Sequence, residues 1–143
     1  MVDLDKYPKT DSSVFADDRK LFCNPLTELD RFLADIEAIE TWTQDWLMKL
    51  NTDKCTILHI GKNNPHIVYN INKTDILTVN EQKDLGVIIT ENLKWETHIA
   101  QMVKKTNSLI YLTNRAFSNK SVEFIKKIYV TFIRPEIEYC YTI

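Results

Sequence analysis

The stretch "DSSVFADDRKLF", residues 11–22, sets two neighbouring carboxylates, Asp17 and Asp18, between two short β-prone runs. Apolar and β-branched residues on either side of a small residue plus Asp predict strand, sharp turn, strand, with the acids at or beside the tip of a hairpin. Two readings of the pair compete. Asp is a common turn residue and costs nothing when solvated, so the pair can be a plain exposed turn. Alternatively it binds a divalent cation: hard metals such as Mg²⁺ take oxygen ligands, and a metal removes the repulsion between adjacent like charges.

The rest of the chain sets limits on both. Its 143 residues, 44% hydrophobic and 27% charged, read as one globular domain or a piece of one, without low-complexity runs or repeats. The start, "MVDLDKYPKTD", is acidic and polar, and no uncharged run nears the length of a bilayer span, so no membrane association is expected. Cys23, Cys55 and Cys140 are odd in number and far apart, which suits reduced core cysteines of an intracellular protein, in cytoplasm or nucleus. The only glycines are Gly61 and Gly86, too few for a dinucleotide-binding or Walker-type phosphate loop. Any nucleotide would therefore be held by metal and side chains. Net charge is −2, but residues 1–53 carry 12 acids against 6 bases, whereas residues 54–143 carry 8 against 12. An acidic half joined to a basic half suits a protein that holds a metal at one end and phosphates near the other.

Periodicity organises the remainder. Leu29, Phe32, Leu33, Ile36, Ile39, Trp46, Leu47 and Leu50 recur at helical spacing and predict a helix from about Leu26 to Leu50, opened by Pro25. Glu28, Asp35, Glu37 and Asp45 fall mostly off that stripe, and Trp42 and Trp46 are expected to pack on a sheet. "KCTILHIG", "HIVYNI", "DILTV" and "DLGVIIT" read as strands of that sheet, separated by turn-forming "GKNNP" and "NINKTD". Helical spacing returns at Trp95, Ile99, Met102, Val103, Leu109, Ile110 and Phe117. After "SNKS", Ser121 is placed to cap a last helix that buries Val122, Ile125, Ile128, Tyr129 and Phe132 and is ended or kinked by Pro135. His98 reads as packing or local hydrogen bonding. His59 has no second His or Cys at ligand spacing, which argues against zinc. The chain is thus α+β with a helical carboxy-terminal third.

Four stretches, "VFADDRKLF", "MKLNTDKCTILHIG", "KDLGVIITENLKWETHI" and "IYVTFIRPEIEY", resemble in order and spacing the reverse transcriptases of non-long-terminal-repeat retrotransposons, the jockey-like group in particular. The resemblance runs from about Ser13 to Tyr139. It implies a partial polymerase palm over residues 1–92 (β-hairpin, long helix, small antiparallel sheet) followed by the start of a helical thumb over residues 93–143.

By the same resemblance Asp17 ligates catalytic Mg²⁺, Asp18 assists, and Phe15 anchors the hairpin. Lys54 is similar to the family's candidate proton donor to pyrophosphate. "KDLGV", with Lys83 and Gly86, resembles the turn that grips the primer end, and Lys104, Lys105, Arg115, Lys126 and Lys127 are placed to meet phosphates of an RNA or DNA template–primer. The implied reaction is RNA-directed DNA synthesis from dNTPs. Two metals about 3.5–4 Å apart, bridged by carboxylates, would drive it, with a proton donor easing departure of the leaving group.

The family draws a third carboxylate from a strand upstream of "FADD", and Asp3–Leu4 resembles a different element, "N-D-L". The chain alone is accordingly expected to be inactive. Arg19 stands where the family usually has threonine. Two further readings stay open: a nucleic-acid-binding module that uses the basic half, and a retrotransposon remnant whose core outlived its chemistry.

Overall fold

A computed structural model describes residues 9–16, 18–118 and 121–141. Asp3, Leu4 and Asp17 lie outside the described residues. The chain divides into two compact units, Met1–Asn80 and Glu81–Ile143. Both mix helix with small sheets, which makes the protein α+β.

In the first unit, β1 (Asp11–Phe15) and β2 (Asp18–Phe22) form an antiparallel hairpin in which Phe15 pairs with Asp18. Ala16, the first connecting residue, is left-handed at φ 54°. That conformation is what the two-residue turns matched to strand twist need at their first position. For a residue with a Cβ it is strained by about 1–2 kcal/mol.

Helix α1 (Leu29–Asp45) is shorter than its apolar spacing predicts. Residues 24–28 instead form a turn, in which Leu26 N–H donates to Asn24 Oδ1 (3.1 Å) and Glu28 N–H to Asn24 O (2.9 Å). At the other end Leu47 is left-handed (φ 52°), Leu47 N–H donates to Gln44 O (3.1 Å) and Met48 N–H to Thr43 O (2.9 Å). This is the Schellman pattern of helix termination, with leucine where glycine is usual. The chain turns away there, leaving Trp46 and Leu47 51% and 94% exposed rather than on the buried stripe.

The strands of this unit are short and form separate ladders instead of one sheet on α1. β3 (Thr56–Leu58) pairs in parallel with β6 (Leu77–Val79), while β4 (Asn70–Ile71) and β5 (Thr74–Asp75) make an antiparallel hairpin. The β4–β5 turn is Asn72–Lys73, both left-handed (φ 51° and 62°). Asn72 N–H also donates to a Glu40 carboxylate oxygen of α1. Ile36, Tyr69 and Ile76 form the buried centre, with Leu29, Phe32, Cys55, Ile57, Ile67 and Ile71 packed around it. Phe32 meets Tyr69 edge-on, ring centroids 5.2 Å apart, a geometry that the ring quadrupoles favour.

Asp35 is the exception to the amphipathic pattern. It sits on α1 with 2% exposure and accepts from Lys9 N–H (2.8 Å), Thr10 N–H (2.8 Å) and the Thr10 hydroxyl (2.7 Å). Burial alone would push its carboxyl up. The donors of Lys9 and Thr10, together with the nearby Arg31 charge, outweigh burial and hold it below the ordinary aspartate range.

In the second unit, β7 (Glu81–Asp84) and β8 (Val87–Thr90) form a hairpin through Leu85 (φ 45°) and Gly86 (φ 89°). Helix α2 (Glu96–Ala116) packs against β8. Ile88 N–H points at His98 Nδ1 (3.4 Å), so His98 serves as a local acceptor. Ser121 does cap α3 (Val122–Ile128), its hydroxyl accepting from Phe124 N–H at 3.2 Å. Pro135 neither ends the helical run nor breaks it sharply. Lacking an N–H and crowding the carbonyl four residues back, it is accommodated by a π-helical widening over Tyr129–Ile133, closed by Arg134 N–H to Tyr129 O, before α4 (Arg134–Glu138) resumes. The apolar face expected to be buried here is open: Val122, Ile125, Tyr129 and Phe132 are each about half exposed or more. Among the described residues no helix is long and apolar enough to cross a membrane.

Asp35→Asn presents a donor where three donors converge, leaving at least one buried group unpaired, and should destabilise the first unit by about 2–4 kcal/mol in denaturant unfolding. The depressed carboxyl sets the sign with pH. Its contribution is complete above the unfolded aspartate pKa of about 3.9 and is lost as pH falls through the lower folded value. The variant should therefore lack that part of wild-type acid destabilisation.

Candidate functional site

At the carboxylate hairpin, the ladder of β1 and β2 puts Asp18 at the first position of β2, opposite Phe15 and directly after the turn. Asp18 is exposed, and oxygen donors of this kind match the ligand preference of Mg²⁺. Phe15, expected as an anchor, is 58% exposed, because the hairpin presents both Val14 and Phe15 to solvent. Among the described residues no group of three His, Cys, Asp or Glu side chains converges to hold a metal. Lys54 closes a 3₁₀ turn (Thr52–Lys54) capped by the Asn51 side chain, which accepts from Asp53 N–H (3.2 Å), and its ammonium is exposed. No hydrogen bond or ion pair joins Lys54 to Asp18 among the described residues.

In the second unit the candidate residues separate into distinct places. Lys83 lies on β7, exposed, across from Ile88. Gly86 is approached by protein: a Cβ there would stand 3.1 Å from Tyr139 Cε1, and the Tyr139 hydroxyl donates to Leu85 O at 2.5 Å. Glycine is thus required twice over, by its positive φ and by the ring lying on it. Lys105 is tied to Glu136 (2.7 Å). Lys104 and Arg115 are exposed on another flank of α2, and Lys126 and Lys127 occupy the last turn of α3, where cations complement the helix dipole. The five cations expected to meet phosphates do not act alike, since one of them already has a carboxylate.

Two features escaped sequence reasoning. His66, seven residues from His59, folds back so that the rings lie 4.8 Å apart beside Tyr69. Burial, then the neighbouring His66, push the His59 pKa down against an opposing hydrogen bond from Asn64, which keeps the imidazole neutral near pH 7. The left-handed His66 (φ 52°) that creates the fold-back carries no pattern in the sequence beyond the preceding "NNP". Tyr139 is the other: its partner lies 54 residues away, and neither residue hints at the other.

No family model, curated protein or solved structure matches the chain.

Gly86→Ala forces a Cβ against the Tyr139 ring at a backbone angle that L residues rarely adopt. It should cost about 1–3 kcal/mol in unfolding of the second unit. Combining it with Tyr139→Ala should recover only the part due to the ring, and a double-mutant cycle separates the two causes.

Proposed function

We propose that this chain is the Mg²⁺-binding palm hairpin and the beginning of the thumb of an RNA-directed DNA polymerase of the non-long-terminal-repeat retrotransposon type. The observation that carries the reading is the hairpin itself: a two-residue connection with a strained, left-handed Ala16, followed at once by an exposed Asp18 opposite Phe15. Strained turns bearing acids suit functional sites better than idle surface. The four ordered motifs supply the family.

In this reading Asp17 and Asp18 hold Mg²⁺, which when bound supplies charge neutralisation at the transferring phosphoryl group and activates the attacking hydroxyl. The residues of the chain do the positioning. Asp18 is fixed by its ladder partner Phe15, Lys54 offers an exposed ammonium as proton donor, and the basic residues of the second unit neutralise backbone phosphates. Mg²⁺ commonly takes one or two carboxylates and completes its shell with water and substrate phosphates, so an aspartate pair is a sufficient protein contribution to loose binding. Two-metal catalysis needs a further carboxylate beside this pair, and among the described residues no group of three His, Cys, Asp or Glu forms.

A nucleic-acid-binding module that makes no use of metal is the second reading, favoured by Lys104 and Arg115, which form no ion pair with any described residue. Salt dependence tests it, because phosphate contacts make affinity fall steeply as salt is added.

The metal reading is tested by titrating Mn²⁺ into the full chain and following water-proton relaxation. Asp17→Asn and Asp18→Asn should each weaken binding about tenfold or more, roughly 1.4 kcal/mol. Equal Mn²⁺ affinity in wild type and the double variant would overturn the assignment. The chain alone should incorporate no nucleotide on a primed RNA template, and measurable incorporation would overturn the incompleteness of the site.

A further inference from the structure

Helix α2 carries a feature that the metal hairpin does not explain. A shallow, wide-open groove of about 830 Å³ lies along one face of it, formed by this helix alone and lined by Ala100, Val103, Lys104, Asn107, Tyr111 and Leu112, with Ser108 between. Lys104, Ser108, Tyr111 and Arg115 follow one another at four-, three- and four-residue steps, which puts them on one side of the helix. Lys105 is on a different flank and is neutralised by Glu136, whereas Lys104 and Arg115 have no carboxylate partner among the described residues. Tyr111, 62% exposed, stands between these two cations, with no aromatic partner of its own among the described residues.

We infer that this groove binds single-stranded nucleic acid, with Tyr111 as the platform on which an unpaired base stacks and Lys104 and Arg115 as the flanking phosphate contacts. The inference rests on the proposed function for the class of its ligand and adds to it a site, a stacking residue and a preference for unpaired over duplex strands. Eleven helical steps separate the two cations along about 16.5 Å, a length matched to a few nucleotides of extended strand. Stacking asks for a π-face that a paired base inside a duplex does not offer, so an exposed aromatic between two cations favours single strands. Val103 and Ala100 give the base an apolar floor. Asn107, one turn before Tyr111, is exposed and carries an amide donor and acceptor suited to a base edge. No acid lines the groove, so a polyanion meets no repulsion there. RNA and DNA share this chemistry, and the groove chooses between them only through contacts to the 2′-hydroxyl.

The test is fluorescence anisotropy on the full chain with labelled twelve-residue oligo(U) RNA, oligo(dT) DNA and a duplex of equal length, at 50 and 200 mM KCl. Tyr111→Ala should weaken single-strand binding about tenfold and leave duplex binding within twofold, whereas Tyr111→Phe should keep wild-type affinity. Lys104→Ala with Arg115→Ala should weaken both single strands and reduce the slope of log affinity against log salt by about 1–1.5. All three positions are exposed and alanine suits a helix interior, so folding is preserved, with circular dichroism as the check. Equal affinity of wild type and Tyr111→Ala, equal loss in Tyr111→Phe, or absence of single-strand binding at 50 mM KCl would each overturn the inference. Mn²⁺ binding that is insensitive to Asp17 and Asp18 alongside Tyr111-dependent strand binding would sink the metal reading alone, and the opposite pattern would sink the groove alone.

Discussion

The buried carboxylate of Asp35 is the constraint on which the first unit depends. An ionised group at 2% exposure is tolerated only if its lone pairs are used, and here the main-chain N–H groups of Lys9 and Thr10 and the Thr10 hydroxyl use them. These residues lead directly into β1 at Asp11, so the carboxylate ties the root of the acidic hairpin to the middle of α1. The tip of the hairpin is exposed and Phe15 does not anchor it. Position at the tip is therefore inherited from the root, through five ladder pairs from Asp11–Phe22 to Phe15–Asp18. A polar interaction does what the apolar faces of this hairpin do not.

The second unit relies on a comparable tie at its own hairpin. Leu85 and Gly86 both take positive φ, a turn geometry that leaves the Leu85 carbonyl pointing out of the ladder, and the Tyr139 hydroxyl satisfies it. The ring then occupies the space that the missing Cβ of Gly86 leaves open. The π-helical widening ahead of Pro135 matters to this contact, because it changes the rotation of α4 relative to α3 by the one residue it inserts, and Tyr139 follows immediately after α4. Proline, π-turn and tyrosine act as one device that brings Tyr139 onto the β7–β8 turn.

What could be read from sequence was local chemistry. The hairpin around Ala16 and the Ser121 cap each depend on residues within four or five positions of one another, and each was legible, whereas "DLGVIIT", read as one strand, is broken by the Leu85–Gly86 turn. Helical period located α2, whose caps are Trp95 and Phe117, and located α1 but misjudged its limits, because Asn24 offers the backbone an alternative turn and Leu47 takes a left-handed conformation that leucine does not advertise. Period also cannot name a partner. It put Ile99, Val103, Ile110, Val122 and Phe132 on apolar faces, and the structure leaves all five at least 40% exposed. Asp35 shows the converse failure: its acid reads as a solvated face, and only a strand root 25 residues earlier makes it a buried one. At the candidate site, Asp18 and the split among the cations follow the same division. The turn was visible, whereas the pairing of Lys105 with Glu136, which sets Lys105 apart from the other four cations, needed the fold.

The two candidate sites make opposite physical demands, and this bears on how the chain would use them. A Mg²⁺ site of the kind proposed wants hard oxygens held close against their repulsion, and the left-handed Ala16 sits in the turn that would present them. A strand-binding groove wants diffuse charge and a polarisable face, and tolerates looseness because each stacked base is as good as the next. The first is built on a two-residue connection, where losing either acid removes half of the proposed protein ligands. The second is spread over three turns of a 21-residue helix, where losing one cation removes one phosphate contact and leaves the rest in place. On the proposed reading, strand binding is consequently the more robust of the two, and it would outlast damage to the hairpin that ended metal binding.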